Sequence, residues 1–325
     1  MRVLITGMSG FAGRHLAELL LRETHWLLIG VSRDASGDRS HPREFWWRLD
    51  LRDADGVRRL LRYERPDIIV HLAAQAHVPT AWKAPWETYE TNLKSTLNLF
   101  EGIVANKLSP RVLVVSSNEV YGKPEHDSDL PFHESRAPQP TNPYAVSKAA
   151  QELIALQYHR SHGIDVVIAR PFNHIGPGQG AQFVAADFAR QIAEIECGLR
   201  EPVMMLGNMA AQRDFTDVRD VVRAYLALIR FADGGQAYNV CSGQPRSIQS
   251  LLDALLKLTP ISIEQRTDPA KFRVADTPIS YGSAERIRQA TGWQPRIPFE
   301  QTLADVLDDW RQRVRAAIAQ GKNQP

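Results

Sequence analysis

Cysteine is nearly absent. Cys197 and Cys241 are the only two among 325 residues, too few for a disulfide framework and without metal-ligand spacing. Both stand in apolar segments and read as small core residues, so a reducing cytoplasm is the expected setting. Long apolar runs are missing as well. The run Val3-Leu4-Ile5 breaks at Gly7, too short for a secretion signal, and nothing approaches the ~20 apolar residues that cross a bilayer. Neither sign of charge is in excess: 39 lysines and arginines face 37 acidic residues, a formal charge of +2. That balance excludes the broad basic footprint of a nucleic-acid or anionic-membrane binder, and any anion recognition has to be local. No internal repeat is visible. What remains, 43% apolar and 23% charged residues, is enough for a sizeable core and two lobes.

Short apolar runs alternate with amphipathic segments. Val3–Ile5, Leu27–Ile29, Ile68–Val70, Val112–Val115 and Val166–Ile168 are continuous in apolar character, as strands buried on both faces of a parallel sheet are. Between them, Leu16, Leu19, Leu20 and Leu21 mark the inner face of one crossover helix, Val57, Leu60 and Leu61 another, and Leu97, Leu99 and Phe100 a third. This β-α alternation predicts an α/β fold with a doubly wound parallel sheet. After Arg170 the texture turns to loops rich in Gly and Pro, helices such as Val221–Ile229 and short strands such as Ala237–Val240. The expected division is 1–170 and 171–325, with segments free to cross between lobes and the active site in the cleft.

Gly7-Met8-Ser9-Gly10-Phe11-Ala12-Gly13 directly follows the first strand and opens a helix. Glycines at this spacing allow a tight turn, and helix N-terminal amides can then hold a pyrophosphate. After the second strand the chain reads Val31-Ser32-Arg33-Asp34. Arg33 with Ser32 suits a 2′-phosphate, whereas Asp34 suits a free ribose, and NADP is the favoured reading. Asp50-Leu51, ending the next strand, has the position of an adenine contact, although an Asp there also serves as a helix cap.

Tyr144-Ala145-Val146-Ser147-Lys148 begins an amphipathic helix, so Tyr144 and Lys148 share a face. An ammonium beside the phenol is expected to lower its pKa toward a useful acid/base range. Ser116-Ser117 ends a buried strand. Besides these, His71-Leu72-Ala73-Ala74, Asn92, Ser117 through Tyr121-Gly122, Arg170-Pro171-Phe172-Asn173 and Arg213-Asp214-Phe215 fall in a specific order. On these motifs the chain resembles the extended short-chain dehydrogenase/reductases that modify nucleotide-activated sugars, over nearly its whole length. Its wording is most similar to the GDP-mannose 4,6-dehydratases and the related GDP-4-keto-6-deoxy-D-mannose reductases.

The resemblance implies a Rossmann-like sheet with a smaller C-terminal α/β lobe, NADP(H) as cofactor and a GDP-activated hexose as substrate. It makes Tyr144 the proton donor, Lys148 the residue that holds the nicotinamide ribose, and Ser117 the hydrogen-bond donor to the reacting oxygen. Glu119 matches the glutamate of the dehydratases. Gly7, Gly10, Phe11, Ala12, Gly13, Arg33, Asp50, Leu51, Leu72, Ala73, Ala74 and His174 join Tyr144 and Lys148 around the cofactor. Asn173, Val184, Arg213, Arg273 and Asp276 are carried over to the sugar nucleotide. A homodimer through helices at 93–103 and 144–158 is also implied, with no metal.

The segment Asn173-His174-Ile175-Gly176-Pro177-Gly178-Gln179 looks most like the reductases, and the arginine-rich loop of the dehydratases is absent after the second strand. Asn118 replaces the aspartate of the dTDP-glucose dehydratases and cannot act as a carboxylic acid. The expectation is therefore NADPH-dependent reduction of a C4 ketone, giving GDP-D-rhamnose. Dehydration of GDP-mannose is the alternative, and a non-catalytic NADP sensor a remote one.

Overall fold

The structure, a computed structural model, describes residues 1–33, 41–268 and 277–321. The five apolar runs, with the segment Glu44–Arg48, form strands β1 (Arg2–Thr6), β2 (Leu27–Ser32), β3 (Glu44–Arg48), β4 (Ile68–His71), β5 (Arg111–Val115) and β6 (Asp165–Pro171). They are followed by β7 (Asn173–Ile175), β8 (Val203–Leu206), β9 (Gln212–Asp217), β10 (Gln236–Val240), β11 (Pro245–Ser247), β12 (Glu264–Thr267) and β13 (Ile279–Ser280). Seven of these build one sheet in the order β10-β6-β5-β4-β1-β2-β3, and every pairing in it is parallel. The order reverses at β1 and β4, the crevice where such sheets bind ligands beyond their carboxyl ends.

Helices α1 (Phe11–Glu23), α2 (Ala54–Glu64), α3 (Val78–Lys83), α4 (Pro85–Tyr89), α5 (Ser95–Ala105) and α6 (Pro143–His162) accompany the first six strands. The later ones are α7 (Val184–Glu196), α8 (Val218–Phe231), α9 (Ile248–Leu256), α10 (Glu285–Thr291) and α11 (Phe299–Ala319). On one face of the sheet Leu16, Leu19 and Leu20 of α1 share a core with Val218, Val221, Tyr225 and Ile229 of α8. On the other, Val57, Leu60 and Leu61 of α2 meet Leu99 and Phe100 of α5 and Ala155 of α6. A third core joins α7, α9 and α11 over β8 and Phe215.

Two expectations are corrected here. Leu97 does not line the core; it is 43% exposed, because 100° per residue turns it away from the stripe that holds Leu99 and Phe100. The segments 221–229 and 237–240, read as part of the second lobe, return to the first. β10 pairs with β6 and α8 packs on α1, so both belong to the layers of the seven-stranded sheet. A cut at residue 170 misses this, since each returning piece is too short for its texture to reveal its partner.

Candidate active site

The first glycine turn is set by close backbone approach. Gly7 adopts φ +72°, and a Cβ there would stand 3.0 Å from the Ala73 nitrogen. At Gly13 a Cβ would fall 2.3 Å from the Gly7 oxygen and 2.7 Å from Met8 Cα, so only glycine lets α1 pack this tightly under β1. Gly10 caps α1 without any side-chain hydrogen bond, which leaves the amides of a 13-residue helix open to a pyrophosphate. These features fit a dinucleotide. Gly7, Gly10, Phe11, Ala12, Gly13, Leu72 and Ala74 all line one cavity of about 600 Å³. Ala73 lies behind Gly7, its amide donating to Thr6 Oγ1 at 3.1 Å.

The other proposed cofactor residues follow β2 and β3. Arg33 is exposed. Asp50 and Leu51 follow β3 rather than ending it, outside the cavity wall. Arg52 grips the Asp50 carboxylate through Nη2 at 2.7 Å and through Nε, and holds its pKa below the usual carboxylate value. The cap of α2 is Asp53, which accepts from the Gly56 amide at 3.0 Å. Leu51 is buried and its carbonyl accepts from Asn98.

The catalytic candidates converge on the same cavity. Helix α6 starts where Asn142 accepts from the Ala145 amide at 2.8 Å and Pro143 takes the first position, an arrangement suited to a helix N-terminus. Its first two turns carry Tyr144 and Lys148, with Lys148 Nζ 6.0 Å from the Tyr144 ring centre. Ser117 accepts from the Glu119 amide at 3.2 Å, capping a short 3₁₀ turn over Asn118–Tyr121, and its hydroxyl also bonds Tyr144. The sequence suggests that Lys148 lowers the Tyr144 pKa, and this is corrected. Burial dominates and pushes the phenol up to about 12, against the Ser117 bond that lowers it. Lys148 donates instead to the Val115 carbonyl at 2.8 Å, and its own pKa is brought down to about 8, chiefly by burial.

His174 and Asn173 also line the cavity. His174 stacks on Phe11 with ring centres 5.9 Å apart and planes 2° from parallel. Its Nδ1 lies 3.1 Å from the Phe172 carbonyl, an acceptor only, so Nδ1 carries the proton. Burial holds its pKa down and keeps the ring neutral at pH 7. Val184 opens α7 in the cavity wall, where the helix N-terminus again lacks a side-chain cap. Arg213 reaches the wall from β9, steadied by the Thr277 carbonyl at 2.6 Å. Arg273 and Asp276 lie outside the described residues.

Residues 4–306 match the model of a protein family described as GDP-mannose 4,6 dehydratase. The chain belongs to that family. It is 42% identical over 315 residues to GDP-6-deoxy-D-mannose reductase of Pseudomonas aeruginosa, covering 97% of this chain and 98% of the relative. A GDP-mannose 4,6-dehydratase of Yersinia enterocolitica is 28% identical, with 94% and 92% covered. Among solved structures, RMD from Pseudomonas aeruginosa complexed with NADPH superposes with a TM-score of 0.86 at 40% identity, covering 96% of this chain and 99% of that one.

Within this GDP-mannose 4,6-dehydratase family member, three features escaped the sequence reading. Arg48 lies in register with Ser32 across β2 and β3 and donates to the Arg33 carbonyl at 3.3 Å, adding a second cation beside Arg33. Asn142, besides capping α6, donates to Glu119 Oε2 at 2.9 Å and so ties that carboxylate to the helix bearing Tyr144. The signal for Asn142 was present, since Asn-Pro two residues before the tyrosine is a helix-start pattern. Behind the site, Arg170 makes a buried two-point ion pair with Glu152, at 2.9 and 2.6 Å. Among the described residues no cluster of three or more His, Cys, Asp or Glu could hold a metal ion, and no helix is long and apolar enough to cross a membrane.

Proposed function

We propose that this protein is an NADPH-dependent reductase acting at C4 of GDP-4-keto-6-deoxy-D-mannose, with GDP-D-rhamnose as product. The observation that carries the reading is convergence: Ser117, Tyr144 and Lys148 share one cavity with the glycine turn, Arg213 and the start of the uncapped α7. End-to-end identity with a reductase supports it. NADPH, when bound, supplies the hydride that reaches the C4 carbon. Tyr144 gives its proton to the C4 oxygen, Ser117 donates a hydrogen bond to the same oxygen, and Lys148 holds the ribose. Arg213 and the α7 amides suit the diphosphate, and Asn173 and Val184 stand beside it. Arg273 and Asp276 complete the sugar-nucleotide set carried over from the family. The cofactor portion comprises the seven-stranded sheet with α8, and the rest of the C-terminal half forms the sugar-nucleotide lobe. A homodimer through α5 and α6 is supported by the exposed Leu97, Val146 and Leu153. Cytoplasmic location follows from the scarcity of cysteine.

Dehydration is a second reading, favoured by Glu119 in the cavity wall. Supplying GDP-mannose with NADP, and separately the 4-keto-6-deoxy sugar with NADPH, decides between them. Oxidation of NADPH in the second reaction is expected. Conversion of GDP-mannose without it would replace the reductase by a dehydratase. Glu119→Gln should leave most C4 reduction intact and abolish any elimination, read by product chromatography.

The cations at the end of β2 set the cofactor choice. Arg33→Ala should raise the KM for NADPH, at a cost of about 1–3 kcal/mol for a lost charge-assisted phosphate contact, and leave NADH kinetics nearly unchanged. Equal kcat/KM for both cofactors in the wild type would remove the basis for this assignment.

A further inference from the structure

The loop 176–180, between β7 and α7, is gripped from outside by two helices that belong to different cores, α1 and α11. From α1, His15 Nε2 lies 2.7 Å from the Pro177 carbonyl, an acceptor only, so Nε2 carries the proton, and Arg14 donates to the Gly178 carbonyl at 3.4 Å. From α11, Arg313 donates to the Gln179 carbonyl at 3.3 Å, and the Asp309 carboxylate accepts from the Gly178 amide at 2.9 Å. Asp309 and Arg313 also pair with each other at 2.8 Å, four residues apart on α11, and the Arg313 guanidinium lies over the Trp310 ring, 4.8 Å from its centre. Successive carbonyls and an amide of this short loop are thus all taken by side chains.

The same loop packs on the start of α1. A Cβ on Gly176 would stand 3.7 Å from Phe11 Cζ, and one on Gly178 would stand 3.9 Å from Phe11 Cδ2. Phe11 is the first residue of α1; His174 stacks on its ring and His15 meets it edge-on, with ring centres 5.5 Å apart. The ring is therefore held by β7, by the loop and by its own helix, at the helix opening whose amides suit a pyrophosphate. Glycine at 176, 178 and 180 gives the loop little stiffness of its own. The side chains that grip it decide where it rests.

We propose that Asp309 and Arg313 are positioning residues for the cofactor: from α11 they hold the loop 176–180 against Phe11 and so fix the opening of α1 that receives the pyrophosphate. This rests on the NADPH reading above. Neither residue lines the catalytic cavity, and both act through the loop. Their side chains are 24% and 32% exposed, and a pair so open to water adds little to global stability. Its effect is local. The carboxylate gives a main-chain amide a charge-assisted bond, and Arg313 braces the carboxylate. A helix otherwise packed with α7 and α9 thereby takes part in retaining the cofactor.

The test compares the wild type with Asp309→Ala, Asp309→Asn and Arg313→Leu. It reads NADPH dissociation constants by fluorescence, the affinity of adenosine 2′-monophosphate by competition, and the Tm without cofactor. Asp309→Ala is expected to weaken NADPH binding about 5- to 30-fold while its Tm stays close to that of the wild type. Adenosine 2′-monophosphate has no pyrophosphate, and its affinity should not change. Asp309→Asn keeps an oxygen for the Gly178 amide and should recover most of the NADPH affinity; Arg313→Leu, with the carboxylate present but unbraced, should fall between. A merely structural role predicts a lower Tm with NADPH affinity intact, or an equal loss for both ligands, and either result overturns the proposal. If Asp309→Ala folds poorly, Arg313→Leu carries the same comparison, and wild-type NADPH affinity in it overturns the proposal. A wild type that binds no NADPH would instead overturn the reductase reading itself.

Discussion

Tyr144→Phe is expected to lower kcat about 10²- to 10⁴-fold while NADPH and sugar-nucleotide dissociation constants stay nearly constant, since the hydroxyl acts mainly in the transition state. Burial makes the direction of catalysis intelligible. A phenol pushed up to about 12 keeps its proton at neutral pH and waits as an acid, the role that ketone reduction requires. The ring stays in place in the variant, so the surrounding packing is preserved. Stopped-flow NADPH oxidation and equilibrium binding separate the two effects. Substantial activity in the phenylalanine variant would mean that another group delivers the proton and that the assigned site is wrong.

Glu152→Gln should destabilise the protein by about 3–5 kcal/mol, the usual loss when one partner of a buried ion pair is removed. The side chains of Arg170 and Glu152 are only 7% and 3% exposed, so water cannot replace the missing carboxylate. Arg170 also donates to the Tyr121 hydroxyl at 3.0 Å, which in turn donates to Asn239 of β10 at 2.6 Å; the pair anchors the sheet edge as well as α6. Urea denaturation measures the loss, and Glu152→Leu combined with Arg170→Leu should recover part of it. A pH effect accompanies the first change. Glu152 raises the Lys148 pKa against the burial that brings it to about 8. Wild-type kcat/KM for NADPH should therefore fall as pH rises through about 8, where Lys148 loses its charge. In Glu152→Gln the fall should begin at lower pH. An unshifted limb would show that Glu152 serves packing alone.

The parts of the molecule legible in sequence were those encoded within one element. Apolar runs gave the first six strands except β3, whose Glu-Phe-Trp-Trp-Arg wording does not look buried, and in fact none of its residues falls in the buried class. The glycine turn and Tyr144–Lys148 needed only local spacing. What stayed hidden depends on pairing between distant segments. Arg48 meets Ser32 through strand register, and Glu119 meets Asn142 across 23 residues. The Lys148 ammonium chose a backbone carbonyl over the phenol, a preference that four-residue spacing cannot reveal. Tyr225 lies inside the helix expected over Val221–Ile229, where nothing in the sequence marks its complete burial.

The return of β10 to β6 also governs how the molecule can be divided. A fragment ending near residue 171 would lose that strand, and β6, with Val166 to Pro171 all buried, would become an uncovered apolar edge. Such an edge offers unpaired amides and carbonyls to any neighbouring chain, the arrangement that seeds edge-to-edge aggregation. The first 171 residues are thus not an autonomous module: the sheet they build is completed by a strand that lies beyond β7, β8 and β9 in the chain. During translation the nascent sheet must wait for some 65 further residues, by the ordering of β6 and β10, before its last edge is covered.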